Sequence, residues 1–355
     1  MKNINVLIKP ASSLCNMTCK YCFYCDVSKQ REIKSYGIMD LKTSKILIDR
    51  CFEAVDQGTI GFMFQGGEPT LAGINYFRHF IEYVNSKKND KHQINYSLQT
   101  NGLHVNDDFC KLFKDNNFLI GLSIDGMKKN HDNLRYDLKY NGSYDRINQT
   151  LNKFKEYKIE FNVLTVLTSK LAKYPKDLFN FYLKKDIKYV QLVPCLANLN
   201  ENHNEFSLKP REFFNFYKVF YDEWLKEYRK GNYISVGLFD NILGMFQGAY
   251  PTLCGALGNC QKHFVIEGDA SVYPCDFYVL DQYKGGNLKE NSFSQIYNHD
   301  NMNKFVNEPK KMSNKCKSCK FIRMCNGNCK RMNSLYFDND YCGYQELLTY
   351  IYNKK

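Results

Sequence analysis

Short apolar runs alternate with amphipathic stretches through the first half of the chain. Asn5-Val-Leu-Ile8 opens the series, and strand-like runs follow at Ile60–Phe64, Ile94–Gln99, Phe118–Ile124, Glu160–Leu167 and Tyr189–Val193. Between them, apolar positions recur at helical spacing. Ile48, Cys51, Phe52 and Val55 share one face of a helix expected over about 41–56, with Asp40 placed to cap it. Further helices are expected near 74–86, 106–115, 143–156 and 175–184. Strands alternating with helices predict parallel βα units joined by right-handed crossovers. Eight such units would close a barrel; six predict an α/β fold built as an incomplete, curved (β/α)6 barrel. The glycine-rich and polar motifs fall just after strands, where the C-terminal face of a parallel sheet assembles active sites.

The pattern changes past residue 206. Phe213, Phe216, Tyr217 and Phe220 mark a helix within 207–230, and their aromatic face reads as core. A second helix is expected at Gly237–Gly248. His263–Glu267 and Ser271–Tyr273 flank Gly268-Asp269-Ala270 as a β-hairpin. Beyond it the chain is short elements between cysteines, too loop-rich to be held by apolar packing alone, so metal centres are expected as staples. The expected division is 1–206 for the partial barrel, 207–250 for a helical connector and 251–355 for a cysteine-rich domain.

Composition narrows this picture. With 355 residues, 44% of them hydrophobic, the chain has enough apolar material for one large core or two smaller ones. The net charge of +12 comes from dispersed lysines without a tight basic patch, so nucleic acid is not the expected partner. The apolar run in Met1-Lys-Asn-Ile-Asn-Val-Leu-Ile-Lys-Pro10 breaks after three residues, no signal peptide is expected, and no stretch has the length of a membrane span. A cytoplasmic location is expected. Fifteen cysteines in that reducing compartment point to metal or redox chemistry rather than disulfides. Cys51, Cys110 and Cys195 stand alone and are expected as small buried apolar residues.

Cys15-Asn-Met-Thr-Cys19-Lys-Tyr-Cys22 sets three thiols at C-x3-C-x2-C spacing. Three thiolates are one short of the usual four for a cubane iron–sulfur cluster, which leaves one iron open to bind and polarise a ligand. A zinc site with Cys25 as fourth ligand is the alternative. The stretch resembles the motif of the radical S-adenosylmethionine (SAM) superfamily, including an aromatic residue, Tyr21, before the last cysteine. Gly66-Gly67-Glu68-Pro69 follows the second strand. Alone it reads as a strand-to-helix turn; with the resemblance, Gly66, Gly67 and Glu68 are implied to contact the methionine amino group of SAM. Ser123 and Arg135 resemble positions that bind the SAM ribose and carboxylate, and Leu196 an apolar adenine contact. Without the resemblance, Arg135 reads as a solvated surface charge.

Eight further cysteines are Cys254, Cys260, Cys275, Cys316, Cys319, Cys325, Cys329 and Cys342. Spacing alone does not assign them to partners, and paired zinc sites remain open. The pattern resembles the SPASM extension, with two auxiliary [4Fe–4S] clusters. The resemblance implies Cys254, Cys260, Cys275 and Cys329 for the first and Cys316, Cys319, Cys325 and Cys342 for the second.

Leu7–Ser13, Ser35–Met39, Phe64–Gly73, Ser97–Gly102 and Tyr273–Asp281 look like the anaerobic sulfatase-maturating enzymes, a similarity running from residue 5 to about 345. Those enzymes oxidise one Cys or Ser of a sulfatase to Cα-formylglycine. The resemblance implies three [4Fe–4S] clusters and SAM, a 5′-deoxyadenosyl radical that takes hydrogen from the β-carbon, and auxiliary clusters that accept the second electron. It implies a sulfatase polypeptide as substrate and flavodoxin or ferredoxin as electron donor. Asp276 matches the aspartate that takes the proton from the target side chain. In an extended segment Cys275 and Asp276 point to opposite sides, one to a cluster and one to the cavity. The neighbouring net-negative cluster is expected to raise the pKa of Asp276. Gln65, Gln99 and Asn101, at strand ends, are candidates to hold the peptide backbone, with loop capping as their alternative role. Cys25 departs from the pattern. The rival readings are another SPASM peptide maturase, forming a thioether or crosslink, and a zinc-stapled binding module without catalysis.

Overall fold

The structure, a computed structural model, describes residues 1–354. Its strands, in chain order, begin with β1 (Asn3–Ile8), β2 (Met17–Cys19), β3 (Gly58–Phe64), β4 (His92–Thr100) and β5 (Leu119–Ser123). Next come β6 (Arg135–Asp137), β7 (Phe161–Leu167), β8 (Tyr189–Pro194) and β9 (Ser235–Val236). The last are β10 (Phe264–Ile266), β11 (Ser271–Tyr273) and β12 (Gly286–Asn287). All six strands read from the sequence form. Their helices follow at Leu41–Ala54, Ile74–Lys87, Asp107–Asp115, Tyr144–Glu156 and Pro175–Lys184. Local chemistry sets the starts: Asp40 accepts from the Thr43 amide at 2.6 Å and Asn106 from the Phe109 amide at 3.1 Å.

The chain divides into two compact units. The first comprises 1–123, 135–161 and 262–308. Its sheet runs β12-β11-β10-β1-β3-β4-β5, parallel from β10 through β5 and antiparallel at β11 and β12. Val6, Ile8, Ile60, Phe62 and Phe64 are fully or nearly fully buried, and Phe64 meets Phe77 and Phe80 edge-on at 5.1 Å. The hairpin expected from the sequence is present as β10–β11. Its placement was not legible: β10 pairs parallel with β1, Val6 opposite Phe264 and Ile8 opposite Ile266. Residues 262–308, from the cysteine-rich half, therefore extend the same sheet as the N-terminal strand.

The second unit comprises 124–134, 162–261 and 309 onward. Within it β7, β8 and β9 run parallel. The helix Pro210–Arg229 buries the predicted aromatic face, with Phe213 and Phe220 fully enclosed. A C-terminal helix, Gly343–Tyr352, lies against it and was not foreseen. Contact is close enough that a Cβ on Gly343 would stand 2.1 Å from the Pro210 carbonyl oxygen. Cys51, Cys110 and Cys195 are buried, as expected. Among the described residues no helix is long and apolar enough to cross a membrane.

Candidate active site

The cysteine loop leaves β1 at Lys9 and is tied down at several points in the first unit. β2 pairs antiparallel with β6, Cys19 opposite Arg135, an element too short to show any periodicity. Arg135, which is buried, donates from Nη1 to the Tyr21 hydroxyl at 3.0 Å. Cys22 occupies the position just before the helix Phe23–Lys29. A hydrogen bond from the Cys25 thiol lowers the Cys22 pKa to about 6, against burial and with help from the Cys25 and Tyr24 amides and the Arg135 charge. These donors favour a thiolate, the form that binds iron. Burial pushes Cys15 up to about 12, with Glu68 next in effect.

Gly66 and Gly67 lie along the same loop. The Gly67 amide donates to Ser12 O at 2.9 Å and the Glu68 amide to Leu14 O at 2.8 Å. A Cβ on Gly67 would stand 2.0 Å from the Leu14 carbonyl oxygen, so this glycine is required by the chain itself. Glu68 is 1% exposed. Its Oε1 accepts from the Thr70 amide (3.1 Å), Thr70 Oγ1 (2.6 Å) and Thr100 Oγ1 (2.8 Å), and its Oε2 from the Asn101 amide (2.7 Å). Burial raises its pKa in spite of these bonds. The Asn101 side chain donates to Asn16 Oδ1 at 2.7 Å and to Cys15 Sγ at 3.7 Å. It thereby ties the end of β4 to the cysteine loop. Gln99 donates to Ser123 Oγ at 3.0 Å. Leu196 is half-buried in the second unit, just after β8.

Asp276 sits in the first unit, where Cys275 is extended and a short 3-10 turn begins. Its carboxylate accepts from the Tyr24 hydroxyl at 2.5 Å and from Gln65 Nε2 at 3.1 Å, and Lys9 Nζ lies 3.1 Å from its other oxygen. Gln65 also donates to the Tyr24 hydroxyl at 2.7 Å. The Asp276 side chain keeps 15% of its exposure. Lys9 reaches back to Glu267 at 3.8 Å, and Glu267 accepts from Arg31 at 2.5 Å and Ser12 at 2.7 Å. Burial opposes the charged form of Glu267, but Lys9 and Arg31 outweigh it and hold the carboxyl below its ordinary range. Tyr24 and Lys9 were not singled out from sequence. The available signals were an aromatic two residues past Cys22 and a cation ending the apolar run of β1.

Cys316, Cys319, Cys325 and Cys342, all in the second unit, line one small cavity with Phe321, Ile322, Phe337 and Leu348. Four thiols facing one apolar space are a donor set that fits an iron–sulfur cubane. Cys254, Cys260 and Cys329 are also in this unit, and Cys275 is in the first. Among the described residues the cysteines form no disulfide. Among the described residues no three His, Cys, Asp or Glu are grouped for a single metal ion; the ligands of a cubane each hold a different iron and stand farther apart.

Residues 10–181 match the radical SAM superfamily and 254–320 an iron–sulfur cluster-binding domain, SPASM. The chain is 40% identical over 343 residues to a cysteine-type anaerobic sulfatase-maturating enzyme of Clostridium novyi, covering 96% of this chain and 91% of that one. It is 36% identical over 360 residues to that of Clostridium perfringens strain 13, covering 99% and 97%. A solved structure of native anSMEcpe with bound AdoMet and the Kp18Cys peptide superposes with a TM-score of 0.91 at 34% identity, covering 99% and 98%.

Proposed function

We propose roles for individual residues on the premise that this chain belongs to the cysteine-type anaerobic sulfatase-maturating enzymes of the radical SAM superfamily. The enzyme converts a Cys side chain of a sulfatase to Cα-formylglycine, using SAM and three [4Fe–4S] clusters. When bound, SAM and the clusters supply the radical that takes the β-hydrogen and the acceptor for the second electron. Cys15, Cys19 and Cys22 hold the SAM cluster. Cys254, Cys260, Cys275 and Cys329 hold one auxiliary cluster, and Cys316, Cys319, Cys325 and Cys342 the other. Tyr21, Gly66, Gly67, Glu68, Ser123, Arg135 and Leu196 bind SAM. Glu68 also organises Thr70, Thr100 and Asn101. The division into 1–206, 207–250 and 251–355 is supported by the two family matches, which fall in its first and last parts.

Asp276 takes the proton from the target thiol, and Gln65, Gln99 and Asn101 face the peptide. The supporting observation is that Asp276 is bound through Tyr24 to the segment just past Cys22. A base held there is fixed relative to the loop that carries the radical chemistry. The substrate is an unfolded sulfatase segment, and the reductant a flavodoxin or ferredoxin. A cytoplasmic location fits a chain whose cysteines are assigned mainly to metal centres rather than to disulfides.

The test is Asp276→Asn, assayed anaerobically with a Cys-containing sulfatase peptide. About twelve irons per chain should remain. 5′-Deoxyadenosine should still form, while formylglycine falls about 10²–10⁴-fold, the range of general-base catalysis. Near-normal aldehyde formation removes Asp276 from the mechanism, and loss of cluster iron assigns it a structural role.

A further inference from the structure

In the second unit, the loop from Cys254 to Cys260 lies backbone against backbone on the turn from Cys325 to Cys329. A Cβ on Gly258 would stand 2.3 Å from Asn326 O and 2.4 Å from Cys325 O, and one on Gly255 2.7 Å from Cys329 Cβ. Asn326, Gly327 and Asn328 take φ of 37°, 75° and 56°, which curls their turn onto the other loop. Asn326 Nδ2 also donates to Asn259 Oδ1 at 3.2 Å.

One cation enters this junction. Lys310 Nζ donates to the carbonyl oxygens of Gly258 and Asn326, one from each loop. Its stem passes Gly327, whose Cβ would lie 3.7 Å from Lys310 Cε. The side chain is half-buried. Burial lowers the Lys310 pKa, and the thiols of Cys260, Cys325, Cys329 and Cys316 oppose that shift. Cys260 and Cys329 belong to one assigned ligand set, and Cys325 and Cys316 to the other.

We propose that Lys310 is a shared cation that raises the reduction potentials of both auxiliary clusters, resting on the ligand sets assigned above. A cubane with four thiolates is net negative and gains one more negative charge on reduction. A nearby cation therefore stabilises the reduced form more than the oxidised one. Because Nζ is fixed on carbonyls of both loops, a single charge acts on both centres. Partial burial spares it some screening by salt. Lys310 acts through the clusters, on the electron that must leave the substrate.

The test is an EPR-monitored redox titration of Lys310→Met, which keeps the stem and removes the charge. The holoenzyme variant should keep about twelve irons. Both auxiliary midpoints should move negative, by about tenfold in the oxidised-to-reduced ratio at fixed poise, or about 59 mV for one electron. The midpoint of the Cys15/Cys19/Cys22 cluster should not move, and Lys310→Arg should stay near wild type. Unchanged auxiliary midpoints in iron-replete Lys310→Met overturn the proposal. If that variant loses iron, Lys310→Gln, neutral but still a donor, is titrated in its place. Wild-type midpoints there, or loss of auxiliary iron there too, overturn the electrostatic role and leave a tether between loops. Failure of the ligand assignment reads out separately, as wild-type protein holding only about four irons per chain.

Discussion

Lys9 Nζ stands 3.1 Å from Asp276 Oδ1, across 267 positions of sequence, and is only 2% exposed. Parallel pairing of β10 with β1 sets Glu267 beside Lys9, and the antiparallel return of β11 brings Cys275 and Asp276 back along the same sheet. Lys9 lies between two acids, Asp276 and Glu267, and fixes the carboxylate that Tyr24 and Gln65 also grip.

Lys9→Met should therefore uncouple the reaction. Asp276 keeps Tyr24 and Gln65 but loses its cation, and a carboxylate displaced by about 1 Å costs about 10²-fold. Formylglycine formation should fall by that order while 5′-deoxyadenosine continues to form. The measurement is the ratio of the two products. A wild-type ratio would show that Lys9 does not position Asp276.

Gly67→Ala should act on the first cluster alone. The new Cβ would meet the Leu14 carbonyl oxygen, which is backbone and has no flexible end to move aside. The cysteine loop must shift, so iron should drop by about four of about twelve per chain, with the auxiliary EPR signals retained. Full iron with normal SAM cleavage would refute the contact.

Glu267→Gln should destabilise the first unit. Removing one partner of a buried ion pair costs about 3–5 kcal/mol, and about 3 is expected here because Lys9 keeps Asp276 and Arg31 keeps the Lys34 carbonyl. The Glu267 pKa is lowered on folding, so its contribution is present above the unfolded value of 4.5 and is lost as pH falls through the lower folded value. Denaturant unfolding at neutral pH should show the difference between wild type and variant, and below the folded pKa the two should converge. A difference that persists undiminished into that acid range would be inconsistent with a charge effect.

Replacing Cys15, Cys19 and Cys22 together by Ala should leave a folded protein with both auxiliary clusters and no SAM cleavage. The loop hangs on a sheet whose core, Val6, Ile8, Phe62 and Phe64 among others, does not include these thiols. About eight irons per chain should remain. SAM cleavage at the wild-type rate would show that the loop has been misread.

The sequence by itself carried the βα alternation, the helix cap at Asp40, and the spacing of Cys15, Cys19 and Cys22. Each is encoded within a few residues: apolar periodicity selects the element, a short polar side chain starts it, and three close thiols need only one loop. The hairpin was legible for the same reason. Its pairing with β1 was not, because a parallel strand contact between Val6 and Phe264 leaves no local signature in either segment. The partners of Asp276 and the tie from Lys310 to Gly258 and Asn326 depend on that kind of long-range register. Gly67 was read as a SAM contact, and only the fold shows that Leu14 is also its neighbour. Local periodicity and ligand spacing determined the elements and the chemistry. Which charged side chains face one another was decided only when strands distant in sequence came to share one sheet and two cysteine turns came to lie backbone on backbone.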